Sequence, residues 1–175
     1  MLAPGWFAGQ VGLGGYFLAI ERGFYGRHLR FAAYLHVEHE DGTVETITTG
    51  PGWKASAEGP VRSSDLLAGE TYDARREMPG WDRPGFDDTG WVPAFCRMGP
   101  ILGAQPNEPV RVVRTLTPVA LTEPSPGVFI YDLGQNFAGW VRLHLEGEHG
   151  TEVRIRHAEA LDGEGRLYRD NLRLD

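Results

Sequence analysis

Apolar and polar residues alternate strictly through Val141-Arg142-Leu143-His144-Leu145-Glu146. That period of two commits the stretch to an extended strand with Val141, Leu143 and Leu145 on one face and water on the other. After the turn signal Glu148-His149-Gly150, Val153, Ile155 and His157 repeat the alternation with arginines between them, and the two runs read as an antiparallel hairpin. Asp162-Gly163-Glu164-Gly165 starts another turn. Upstream, Val128-Phe129-Ile130-Tyr131 is a short apolar strand that ends at Asp132-Leu133-Gly134-Gln135-Asn136, where glycine and asparagine suit a tight turn or bulge. No helix is needed to account for this region.

The rest of the chain carries the same signature more weakly. Phe31 to Glu38 and Thr43 to Thr49 are two strands around Asp41-Gly42. Glu70 to Arg75 reads as a strand, Val110 to Leu121 as a strand with a slip in register, and Trp81 to Trp91 (WDRPGFDDTGW) as a loop held by an indole at each end. Residues 1 to 30, rich in glycine, Tyr16, Phe17, Phe24 and Tyr25, read as a long loop with aromatic anchors. Residues 96 to 109, with Pro100, Gly103, Pro106 and Pro109, read as a linker between two domains, 1–103 and 104–175.

Composition narrows the function. With 24 Gly, 12 Pro and five Trp in 175 residues, this is a turn-rich β protein whose aromatic side chains can pack or serve as sugar platforms. A net charge of -7 with no basic run argues against nucleic acid as partner. The single Cys96 forms no internal disulfide, and no apolar run reaches the ~18 residues of a membrane-spanning helix. Met1 to Gly5 lacks the basic start and apolar stretch of a signal peptide, so the default expectation is a cytoplasmic chain without membrane contact.

Few residues offer chemistry. Asp65, Glu70 and Asp73 form an acidic trio that could gather sugar hydroxyls or oxygen ligands for a calcium ion, although the spacing fits no compact calcium loop. The alternative is that they cap turns and pair with Arg62, Arg75 or Arg76. Trp6 lies in Pro-Gly-Trp-Phe-Ala-Gly, where glycines would let a sugar approach an indole, and Tyr16 is a lesser candidate of the same kind. His157 and Glu159 share a strand face but lack a third metal ligand, so they read as a structural pair with His157 half-buried. His36 and His39 make a poor chelate. Asp87-Asp88 reads as an Asx-turn rather than a catalytic pair, because adjacent residues on extended chain point apart. Gly12, Gly14 and Gly15 are followed by no phosphate-binding lysine.

Four runs in order, SDLLAGETYDARRE, GWDRPGFDDTGW, YDLGQNFAGWVRL and RHAEALDGEGRLYRDNLR, resemble the N-terminal accessory region of bacterial α-L-rhamnosidases, the family-78 glycoside hydrolases. The resemblance implies an all-β chain: a jelly-roll-like β-sandwich lacking its first strands, similar to rhamnose-binding modules, followed by part of a second β-sandwich. It implies a modular hydrolase that releases terminal non-reducing α-L-rhamnose with inversion, and whose catalytic carboxylates sit in an (α/α)6 barrel beyond this chain. Inversion needs a protonated acid and a carboxylate base about 6.5–9.5 Å apart with a water between them. Asp73-Ala74-Arg75-Arg76-Glu77 followed by Gly80-Trp81 echoes the family's acidic catalytic run only by coincidence, because it falls in the accessory region. The Phe86-Asp87-Asp88 run with Trp91 resembles a signature of sugar-binding jelly-rolls. The expectations are therefore an accessory carbohydrate-recognition and structural region, inactive alone, or a stand-alone rhamnose-binding module. In either case no cofactor is required, calcium is possible, a rhamnose-containing glycoside is the partner, and unpaired strand edges favour a homo-oligomer.

Overall fold

The computed structural model describes residues 2–12, 20–97, 99, 103 and 105–172. The chain divides into two compact units, Met1–Ala104 and Gln105–Arg173. Almost all regular structure is β: the described strands form five two-stranded antiparallel sheets, beside one α-helical turn and one 3-10 turn.

In the first unit α1 (Gly5–Ala8) leads into β1 (Gln10–Gly12), which pairs with β2 (Ile20–Arg22). The expected loop across residues 1 to 30 is thus partly helix and hairpin. β3 (Tyr34–Glu38) and β4 (Val44–Thr48) form the hairpin that the Asp-Gly signal announces. Asp41 Oδ1 accepts from Thr43 N at 2.9 Å and Thr43 Oγ1 at 2.7 Å, and Gly42 sits at φ +80°, where a side chain would be strained. β5 (Lys54–Ala55) pairs with β8 (Val92–Pro93), and the loop between them contains β6 (Val61–Asp65) and β7 (Gly69–Tyr72). The β6–β7 turn is the three residues Leu66-Leu67-Ala68 closed by Gly69 at φ +77°, the usual form of a three-residue hairpin loop.

In the second unit the ladder is β9 (Ala120–Ser125) with β10 (Val128–Asp132), joined by Pro126-Gly127. Register slips between Val128 and Ile130, where Glu123 and Pro124 oppose the one residue Phe129. A proline has no N–H for a ladder, so a bulge on a strand of a two-stranded sheet is where it costs least. The strand expected from Val110 to Leu121 is corrected: it is irregular up to Pro118, and β9 begins at Ala120. At the C-terminal side the Asp162 turn forms as expected, with Asp162 N donating to Arg166 O at 2.8 Å and a bridge pairing Leu161 with Leu167.

The expected hairpin of residues 141–157 is also corrected. Its turn is present, since Thr151 N donates to Glu148 O at 3.0 Å, but neither run is a strand and no ladder joins them. Val141, Leu143, Leu145, Val153 and Ile155 are all exposed. Alternation measures how well a segment fits a half-buried pleated surface, and an isolated two-stranded ribbon with no covered face is marginal. The same holds throughout: among the described residues no apolar side chain is buried. Local order therefore rests on turns, caps and polar contacts.

Candidate functional site

Two features stand out against that open background, and both lie in the first unit. Trp6, Phe7, Phe24 and Tyr25 form a run of edge-to-face aromatic contacts. Trp6 meets Phe7 at 6.0 Å and Tyr25 at 5.2 Å, and Tyr25 meets Phe24 at 5.0 Å. The perpendicular arrangement is the one favoured by ring quadrupoles, and it leaves Trp6 58% and Tyr25 52% exposed. Phe7 lies against Gly26, where an added Cβ would stand 2.6 Å from the ring.

The second feature is Asp65, the one buried charged residue among those described, with a side chain only 4% exposed. Its Oδ1 accepts from Leu67 N at 3.0 Å and Ala68 N at 3.2 Å, which closes the β6–β7 turn. Its Oδ2 accepts from Gln10 N at 2.7 Å and lies 3.6 Å from Arg22 Nη1. Burial alone would raise this carboxyl, but the three backbone donors and Arg22 outweigh it and hold it below the ordinary value. Gly9 packs so closely that an added Cβ would overlap both the Gly5 carbonyl oxygen and the Asp65 carboxylate. Beside it, Gln10 Oε1 is shielded from solvent without a hydrogen-bond partner.

The acidic trio does not converge. Asp65 stands at the turn end of the β6–β7 hairpin, Glu70 is exposed across from Ser64, and Asp73 follows the far end, where its N–H donates to Pro60 O at 2.8 Å. Asp73 caps the 3-10 turn Ala74–Arg76 and accepts from Arg75 Nε at 2.7 Å and Nη2 at 2.8 Å. The Arg75 side chain leads in bringing its carboxyl down to about 2. Arg76 bridges Asp73 at 3.7 Å to Glu58 at 2.6 Å. Among the described residues no three His, Cys, Asp or Glu side chains could hold a metal ion, so the dispersed trio does not fit calcium.

Of the other candidates, Tyr16 lies outside the described residues. Asp87 accepts from Thr89 N at 3.1 Å in an Asx-turn, while its neighbour Asp88 pairs with Lys54 at 2.7 Å, so the two carboxylates serve different partners. His157 is exposed, which corrects the half-buried placement, because the strand that would have covered it does not form. No helix among the described residues is long and apolar enough to cross a membrane.

A chain built almost wholly of small antiparallel sheets falls in the all-β class. The comparisons are specific. Residues 1–114 match the α-L-rhamnosidase N-terminal domain and residues 122–175 the bacterial α-L-rhamnosidase concanavalin-like domain. The chain belongs to the bacterial α-L-rhamnosidase family. It is 49% identical to an α-L-rhamnosidase of Streptomyces avermitilis over 98% of its own length and 16% of that protein's. With an α-L-rhamnosidase of Alteromonas the figures are 34%, 99% and 18%. The crystal structure of the Streptomyces avermitilis enzyme complexed with L-rhamnose matches with a TM-score of 0.82 at 45% identity, over 97% of this chain and 16% of that one. The native Aspergillus terreus α-L-rhamnosidase matches at 0.79 and 32%, over 94% and 18%. The chain thus spans about a sixth of the length of the relatives it matches.

Proposed function

We propose that this chain is the carbohydrate-recognition and structural region of an α-L-rhamnosidase, acting on terminal non-reducing α-L-rhamnose, and that it is without hydrolytic activity by itself. The observation that carries the reading is the exposed Trp6–Tyr25 pair in a chain of this family. An indole face offers apolar area to the C–H face of a pyranose, and the edge contact with Tyr25 fixes its orientation without covering it. The matched Streptomyces structure is a complex with L-rhamnose, which makes that sugar the probe of choice.

The carboxylates support a non-catalytic role. An inverting hydrolase needs one carboxyl kept protonated by an upward shift and a second as base. Asp41, Asp65, Asp73, Asp87 and Asp162 are all shifted downward, each by hydrogen bonds to its own turn or partner. Such groups accept hydrogen bonds and do not deliver protons at neutral pH. Calorimetric titration with L-rhamnose, with added calcium or with chelator, tests the reading alongside a nitrophenyl α-L-rhamnoside assay. Saturable binding that Trp6→Ala weakens at least about tenfold supports it. Turnover above the blank, or binding indifferent to Trp6→Ala, would overturn it. Binding abolished by chelator would favour the calcium-dependent module instead.

A further inference from the structure

We propose that Asp65 is a positioning residue for carbohydrate binding: through Oδ2 it fixes the Trp6 segment on the β6–β7 hairpin, and so sets the platform without touching the sugar. The inference rests on the reading of Trp6 and Tyr25 as that platform.

The helical turn that bears Trp6 cannot hold itself in place. α1 has four residues, its N-cap Pro4 provides no side-chain hydrogen bond, and a single turn fixes several dihedrals for very few bonds. Apolar burial does not hold it either, since no described apolar side chain is buried. What remains is a short set of directed contacts. Gly23 N donates to Gly9 O at 3.1 Å, which brings the Tyr25 strand end beside Trp6, and Phe7 rests on Gly26. Asp65 alone among these ties the assembly to another hairpin, by the bond from Gln10 N, four residues after Trp6, and by the contact with Arg22, three residues before Tyr25. Two strands of the platform thus meet on one oxygen, while the other oxygen of the same carboxylate serves the turn.

This division of labour makes the two roles separable. Asp65→Asn retains one carbonyl oxygen for the Leu67 and Ala68 amides, and asparagine is as good an Asx-turn former as aspartate. Its amide nitrogen, however, faces the Gln10 N–H and the positive Arg22 guanidinium, where a carboxylate oxygen accepted from the first and paired with the charge of the second. Asp65→Asn is expected to leave amide exchange at Leu67 and Ala68 within about threefold of wild type, as the turn survives. It is expected to raise the Kd for L-rhamnose roughly tenfold or more, the loss expected of one charge-assisted hydrogen bond. It should also abolish the near-ultraviolet circular dichroism contributed by Trp6, measured as wild type minus Trp6→Phe. Gly9→Ala presses on the same contact from the other side and should do likewise.

Unchanged affinity and an unchanged Trp6 difference spectrum in Asp65→Asn would overturn the proposal. If the wild-type chain does not bind L-rhamnose, the carbohydrate reading itself fails. The spectrum then judges Asp65 separately: persistence of the Trp6 signal in Asp65→Asn refutes the positioning, and its loss supports it. If the protection of the Leu67 and Ala68 amides and the Trp6 signal collapse together, in Gly9→Ala as well, Asp65 is a general fold determinant and the positioning claim is overturned.

Discussion

Gly9→Ala probes the tightest approach at any described glycine of the first unit. The alanine methyl would overlap the Gly5 carbonyl oxygen and the Asp65 carboxylate at once, and the first of these is backbone that cannot swing aside as a long side chain could. Relief requires the α1 turn to open at Gly5 and the Gly9–Gln10 backbone to withdraw from Asp65 on the β6–β7 hairpin. That withdrawal breaks the 2.7 Å bond from Gln10 N to Asp65 Oδ2, worth about 1.5–3 kcal/mol as a bond to a charged group, and weakens the Gly23 to Gly9 bond, worth about 1 kcal/mol. A cost of about 2–4 kcal/mol follows, offset by the roughly 0.4–1 kcal/mol that alanine contributes by restricting the unfolded chain. Gly90→Ala is the control, because nothing lies within 4 Å of its added Cβ and its φ is ordinary, so only the favourable unfolded-state term operates there. The assay is amide hydrogen exchange at Gln10. A local loss of about 2 kcal/mol speeds exchange about thirtyfold. Exchange within about threefold of wild type in Gly9→Ala would refute the claim that this approach and its carboxylate order the segment.

The remaining predictions concern charge and association. Because folding lowers the Asp65 carboxyl, its stabilising contribution is present in full above the unfolded value of 3.8 and is lost as pH falls from there through the lower folded value. Acid titration followed by exchange at Gln10 should show that loss in wild type and a flat profile in Asp65→Asn; matching profiles contradict it. In Arg75→Ala the Asp73 carboxyl should move up from about 2 toward 3.8, read by carboxyl carbon NMR, and a carboxyl that stays at about 2 would show that Arg75 is not what holds it. Exposed apolar faces at Val141, Leu143, Leu145, Val153 and Ile155 with unpaired strand edges predict self-association. Sedimentation velocity should show mass rising with concentration between about 1 and 100 µM; a single monomeric species across that range refutes it.

Much of the local structure was legible because its determinants are local. The β3–β4 hairpin is written in Asp41-Gly42 and in the alternation on either side, and the structure uses those residues for the turn itself. The Asp162 loop is equally self-contained: Asp162 Oδ1 accepts from Glu164 N and Arg166 N, both within four residues. Where the ordering contact is distant, the sequence is silent. Residues 5–12 looked like loop because the group that organises them lies 55 residues away and binds a backbone N–H, which every residue but proline possesses. Pro124 sits inside β9, where the bulge of a two-stranded sheet tolerates it, whereas the strand expected from Val110 does not form before Ala120. The alternation from Val141 to His157 was read correctly as a pattern and failed as a hairpin, because pattern records what a segment is suited to cover and not whether anything is there to be covered.

The candidate site shows the same split between residue type and partner. A glycine-flanked indole pointed to Trp6, and Phe24 and Tyr25 were visible as aromatic anchors, but their meeting with Trp6 depends on the β1–β2 pairing and on Gly23, which no spacing rule supplies. Asp65 was singled out for its charge among neighbouring acids, and its acidic neighbours are not its partners. A buried carboxylate is costly unless its lone pairs are used, so burial of Asp65 where no described apolar side chain is buried implies that its three backbone donors and the Arg22 charge outweigh the loss of water. Hydrogen bonds are directional where apolar contact is not. A platform tethered by one is held at an angle as well as in a place, and the stacking of a sugar on an indole depends on that angle.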